Sequence, residues 1–258
     1  MSTAVIGRRG IALAFNGKLM GRTVKLGEFT LRFEFSDDNY SPLNTSWSKG
    51  TWTKVEWADT NRWDWHCTDT NWLNAFEKKF TDPNNQVKIV ESNTTGVLKT
   101  FGMFDGCSSI TEACYMDVSQ TTDTRYMFRN CTSLRTSDVY YTRHAIDISY
   151  MYDGCTSLEV APYVNTTEVI DALAVFRNCT SIKYVPLLNF PVVVNVDGLF
   201  YNCVNVEEGA LDLYNRLLPR ASEIGHYSTF HNCGSNTTTG AAELAQIPAN
   251  WKGTWPNT

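Results

Sequence analysis

Six of the eight cysteines keep time along the chain. Cys107, Cys131, Cys155, Cys179 and Cys203 are each 24 residues apart, and Cys233 follows after 30, one period plus six. Their surroundings return with them: YMFRNCTSL at 126–134, YMYDGCTSL at 150–158 and AVFRNCTSI at 174–182. An aromatic stands three places before each cysteine (Phe104, Phe128, Tyr152, Phe176, Phe200, Phe230), and Gly or Asn stands immediately before it. An aliphatic residue stands three places after it (Ile110, Leu134, Leu158, Ile182, Val206), until Asn236 breaks the rule in the last copy. A 24-residue unit cannot bury an apolar face by itself, but stacked units can, so a repeat of this length implies a solenoid in which each side chain packs on its twins above and below.

Local chemistry gives each position a role. Gly or Asn before the cysteine supplies a left-handed residue that ends a short helical turn. Segments such as DISYMY (147–152) are expected to form that turn, with Asp147 as its cap. After the cysteine the chain turns and starts a short strand. Counting from the cysteine, positions +6 and +8 should face inward (Ala113 and Tyr115, Ser137 and Val139, Ala161 and Tyr163, Val185 and Leu187). Positions +5, +7 and +9 should face outward, and in the third and fourth copies they are apolar. Tyr140, Val160, Val164, Tyr184 and Leu188 are thus the expected partner contacts. A slip of one residue would exchange the two faces.

The pattern [MV]-[FY]-x-[NG]-C-[TS]-S-[LI] resembles the BspA-like leucine-rich repeats, related to those of treponemal surface proteins, over roughly residues 100–235. The family's strand pattern is kept loosely: Ser137 and Gly209 depart from it, and Pro162 and Pro186 fall one place early. The segment NRWDWHCTDTNWLNAF (61–76) resembles the lead-in to such repeats in proteins of gut bacteria and their phages. The resemblance implies an adhesion or protein-interaction module without an enzymatic core.

The flanks read differently. GEFTLRFEFS (27–36) alternates as a strand, TWTKVEW (51–57) and QVKIV (86–90) read as further strands, and WLNAFEKKF (72–80) has helical spacing. Six of the eight tryptophans lie between Trp47 and Trp72. The expected class is α+β: a leucine-rich-repeat-type solenoid of about six 24-residue coils over 101–235. An N-terminal arm (1–26) and a β-rich, Trp-rich capping domain (27–100) precede it, and a C-terminal cap (236–258) closes it. The arm is expected to be extended and to dock on another subunit, with a disordered terminus as the alternative.

Composition narrows the function. Charged residues are 19% of the 258, the net charge is −5 and no Lys/Arg run occurs, which argues against nucleic acid. No stretch of eighteen apolar residues occurs, so no membrane insertion is expected. The first twenty residues hold only the short apolar run Ile11–Phe15, which reads as no export signal. The nearest cysteine pair, Cys107 and Cys114, is too far apart for a zinc knuckle, and the parallel Cβ vectors of stacked copies oppose disulfides, so the repeat cysteines are expected as buried, reduced thiols. Neither His66-Cys67 nor any nucleophile or phosphate-loop motif gives a catalytic site.

The expectation is a protein that is not an enzyme and takes no cofactor or metal: a virion-associated fibre, decoration or adhesion subunit of a phage. Its partners would be other virion or surface proteins, or a host surface protein or glycan, and the chain would form homo-oligomers, a trimer among them. Alternatives are a bacterial cell-surface adhesin and a carbohydrate-binding or carbohydrate-active protein.

Overall fold

The computed structural model describes residues 3–7, 10–15, 18–19, 29–36, 53–56 and 62–67, and residues 72–254 apart from 73, 95 and 139–141. The strands are β1 (Thr3–Gly7), β2 (Gly10–Phe15), β3 (Lys18–Leu19), β4 (Phe29–Phe35), β5 (Thr53–Glu56), β6 (Arg62–Cys67), β7 (Val87–Asn93), β8 (Ile110–Ala113) and β9 (Thr136–Ser137). Two helices follow, α1 (Ala210–Leu217) and α2 (Thr238–Gln246). Within the segment expected as an N-terminal arm, β1, β2 and β3 form an antiparallel meander with Ile6 opposite Ile11 and Ala14 opposite Leu19.

A second sheet has the order β5-β6-β4-β7-β8-β9. Its β4 keeps the alternation read from the sequence, with Leu31, Phe33 and Phe35 all buried. β4 pairs antiparallel with both β6 and β7, and from β7 onward the pairing is parallel. The switch at β7 is where the 24-residue beat takes over. Outside the named strands, isolated parallel bridges also join the rungs, such as Asp123 to Asp147, Asp147 to Asp171 and Asp171 to Asn195.

The residue before each repeat cysteine is left-handed, as Gly or Asn there implied: φ is 72° at Gly106, 58° at Asn130, 75° at Gly154, 60° at Asn178, 59° at Asn202 and 55° at Asn232. A second left-handed residue stands five places before the cysteine, and several of these carry side chains: Tyr126, Tyr150, Ala174 and Ser228 have φ between 55° and 59°. The expected helical turn is therefore absent, because two positive φ values four residues apart cannot lie in one right-handed helix.

What forms is a ribbon of tight turns whose amides alternate in direction. Met127, Arg129 and Cys131 donate three residues back within their own rung, to Thr124, Tyr126 and Phe128. Tyr126, Phe128 and Asn130 donate to Ser149, Met151 and Asp153 of the next rung. The left-handed residues turn alternate peptides toward the neighbouring rung, and those inter-rung bonds offset a strain of roughly 1–2 kcal/mol at each non-glycine position. Asp147 caps nothing helical; its Oδ1 accepts from the Ser149 amide at 2.9 Å, and Asp123, Asp171 and Asn195 make the same short turn.

Two ladders fill the interior. The rings at position −3 stack from Phe76 through Phe104, Phe128, Tyr152 and Phe176 to Phe200, with centroids 5.1–5.7 Å apart and planes within 19°. Phe33 of β4 caps the start of this column edge-on to Phe76, at 5.3 Å. Beside it the thiols of Cys107, Cys131, Cys155, Cys179 and Cys203 donate to the carbonyls of Phe76, Phe104, Phe128, Tyr152 and Phe176, each on the preceding rung, at 2.9–3.2 Å. All six repeat cysteines are fully buried and free. Burial pushes the Cys107 thiol up to about 12 from an ordinary value of 9.0, and desolvation pushes the other five up as well.

The segment 72–80 is not a helix but a further rung. Asn74, Phe76 and Lys78 donate to Phe101, Met103 and Asp105 in the same alternate pattern, and Asn74 and Lys78 have φ of 49° and 52°. At the far end α1 and α2 pack on one another and on the rungs before them, Arg216 of α1 donating to the Leu188 carbonyl and Thr237, the N-cap of α2, to the Val206 carbonyl. Gly240 of α2 lies so close to Gly234 that a β-carbon on Gly240 would sit 2.7 Å from the Gly234 Cα, which only glycine permits. Trp251, buried, stacks on His226 at 4.1 Å and meets Tyr214 of α1 edge-on, closing the column.

Candidate interaction surface

Three surfaces run along the rungs. On the turn side, Asp105 and Asp153 are nearly buried and each grips an arginine of the next rung with both oxygens. Arg177 reaches Asp153 at 2.8 and 2.7 Å, and Arg129 reaches Asp105 from Nε at 2.9 Å. These carboxylates hold both guanidinium groups further above their ordinary range, against the opposing cost of burial. The same arginines lie over Tyr126 and Tyr150, 4.4 and 5.2 Å from the ring centres, and those two rings stack at 5.2 Å. These charges are paired across the rungs.

On the strand side, the expected contacts separate into two groups. Val160 and Tyr184 at position +5 are exposed, 65% and 56%. Val164 and Leu188 at position +9 are buried, 1% and 2%, so their assignment to the outer face is corrected. Tyr140 lies outside the described residues. The strand ends near +6 in the rungs that have one, as β8 and β9 show, so a period of two cannot be carried as far as +9. In the first two rungs the +7 amide still donates across, Cys114 to Ile89 and Asp138 to Ala113. Pro162 and Pro186 occupy +7 in the next two and have no N–H to give. Beyond +6 the faces exchange: Tyr163 and Leu187, expected inside at +8, are 51% and 68% exposed. The outward apolar patch is therefore Val160, Tyr163, Tyr184 and Leu187, on two adjacent rungs.

A charged row borders it at position +4: Arg135, Glu159, Lys183 and Glu207. Their amides run up the stack from Glu159 to the Arg135 carbonyl, from Lys183 to Glu159 and from Glu207 to Lys183. Lys183 and Glu207 meet at 3.3 Å, both about half exposed. At the patch's C-terminal end an open cleft of about 530 Å³ is lined by Tyr184, Glu208, Asp212 and Glu243. There Glu243 is already engaged, accepting from the Gly209 and Leu211 amides at the start of α1.

The third surface is a ridge at position −9, where Leu98, Ile146, Ile170 and Val194 are all exposed. The described histidines are tied into the stack: His144 meets Glu168 of the next rung at 3.0 Å, and His231 bonds the Lys252 carbonyl and stacks on Tyr201. His231 is thus held in place by both contacts. The side chains of His66 and Cys67 lie outside the described residues. Among the described residues no helix is long and apolar enough to cross a membrane.

The geometry is that of a repetitive chain whose units hydrogen-bond to the units before and after them. It matches the family described as "Mycoplasma protein of unknown function, DUF285" over residues 70–190 and again over 102–214. The two matches together run from 70 to 214, more than half of the 258 residues, so the chain belongs to this family. The match begins at the rung of Phe76, ahead of the first repeat cysteine. Neither the curated proteins nor the solved structures hold a match.

Proposed function

We propose that this chain is a non-enzymatic binding scaffold, a leucine-rich-repeat-type solenoid carried on a virion as a fibre, decoration or adhesion subunit. The observation that supports this most is the patch of Val160, Tyr163, Tyr184 and Leu187: four large apolar side chains between 51% and 68% exposed, on adjacent rungs of a regular array. Large contiguous apolar surface is costly to leave in water unless it meets a partner. The buried thiols and the paired arginines serve the stack itself, which suits a rigid platform.

A second reading, a BspA-like adhesin on a bacterial surface, is favoured by one observation: the family description names a cellular organism. Mass spectrometry of density-purified particles and of cell envelopes from the producing culture separates the two. The virion reading expects the chain to co-purify with particles at structural-protein abundance. Its recovery in envelopes alone contradicts that reading and supports the adhesin.

A further inference from the structure

We propose that the strand-side patch is covered by a second copy of this chain, docked antiparallel about a twofold axis that passes between the rung of Glu159 and the rung of Lys183. The proposal deepens the scaffold reading and rests on its assignment of this face as a contact surface.

The charges beside the patch name the occupant. The +4 row reads plus, minus, plus, minus: Arg135, Glu159, Lys183, Glu207, one residue per rung, on successive hydrogen-bonded rungs. Rungs joined in this way are spaced about 4.8 Å apart. A copy laid parallel and in register would set each charge against its own like. A copy turned antiparallel about the stated axis sets Glu159 against the partner's Lys183 and Arg135 against the partner's Glu207, and each pair occurs twice by symmetry. All four positions then meet an opposite charge with no residue left over.

The apolar side chains obey the same operator. Val160 falls opposite the partner's Tyr184 and Tyr163 opposite the partner's Leu187, so the two exposed rungs cover each other. Position +5 of the flanking rungs, Thr136 and Glu208, also meets without like charges. An alternating row with an even number of members is self-complementary only in the antiparallel sense.

Sedimentation velocity on the full chain at physiological salt tests the proposal. The wild type should sediment at twice the 29.1 kDa chain mass at about 100 μM. Glu159→Lys alone sets lysine against lysine at both symmetry-related contacts, and Lys183→Glu alone sets glutamate against glutamate there; each should weaken the dimer by roughly tenfold or more. An equimolar mixture of the two single variants restores opposite charges in the heterodimer and should recover the dimer in that form. The altered positions are exposed, and unchanged circular dichroism and melting confirm that each variant is folded. A wild type that stays monomeric or runs as a trimer overturns the pairing. So does a dimer indifferent to either charge reversal, or a mixture that stays dissociated. A monomer that nevertheless co-purifies with particles overturns the pairing while leaving the scaffold reading intact.

Discussion

Raising the pH from 7.5 to 10 is expected to remove several kcal/mol of folding stability, a large share of what a domain of ordinary stability has. The cause is the thiol ladder. In the unfolded chain a cysteine ionises near its ordinary value of 9.0, whereas Cys107 is pushed up to about 12 by burial and the five other repeat thiols are pushed up by the same cause. Between those values the folded state holds more protons than the unfolded state, so stability falls as pH rises. It is undiminished below about pH 8. A thiol that stays protonated in the fold withdraws roughly 1 kcal/mol by pH 10, and the repeat has six. Tyr152, buried and also pushed up, adds to the loss at still higher pH. Guanidinium unfolding midpoints at pH 7.5, 9 and 10 measure the effect, and Cys155→Ala should shrink the loss at pH 10 by one thiol's share, roughly 1 kcal/mol. Midpoints that hold steady up to pH 10 would show the thiols to be in contact with water.

Phe128→Ala should cost about 3–5 kcal/mol. The ring is fully buried between Phe104, at 5.2 Å, and Tyr152, at 5.5 Å, so its removal opens a cavity inside the column and breaks two stacked pairs at once. Each such pair contributes about 0.5–1.5 kcal/mol beyond the area it buries. A double-mutant cycle separates the stack from simple burial. Phe128→Leu with Tyr152→Leu should couple by about that amount, whereas Phe128→Leu with Phe200→Leu, three rungs away, should be additive. Equal coupling at both separations contradicts the column, and so does an alanine variant that loses under about 1 kcal/mol.

Much of this is legible in the chain, for identifiable reasons. The cysteines, the rings three places before them and the left-handed residue at −1 can be read because each position admits only one or two residue types. The left-handed residue at −5 cannot, because Tyr126, Tyr150, Ala174 and Ser228 show no intrinsic preference for it. What holds them is tertiary: an amide given to the next rung, as from Tyr126 to Ser149. The rung at 72–80 is hidden in the sequence because Lys79 stands where the others have cysteine and the step from Phe76 to Phe104 is 28 residues. Its helical spacing is a coincidence of two turns.

In the patch, Val160 and Tyr184 follow the alternation of the strand. Val164 and Leu188 do not, because the strand side of their rungs carries no strand and holds only an isolated bridge at Tyr184. Pro162 and Pro186 are the signal: a residue without an amide at +7 cannot continue a ladder. A shift in face at that point moves Tyr163 and Leu187 outward and completes the patch.

The most direct measurement of the stacked account is a set of electron-spin distances along the exposed ridge. With Cys67 and Cys114 replaced by serine, nitroxides are placed in pairs at Leu98 and Ile146, Leu98 and Ile170, and Leu98 and Val194, which lie two, three and four rungs apart. The account predicts narrow distributions that lengthen by about 4.8 Å with each added rung. Distances that fail to rise in order, or that spread as broadly as an unfolded chain, would contradict it.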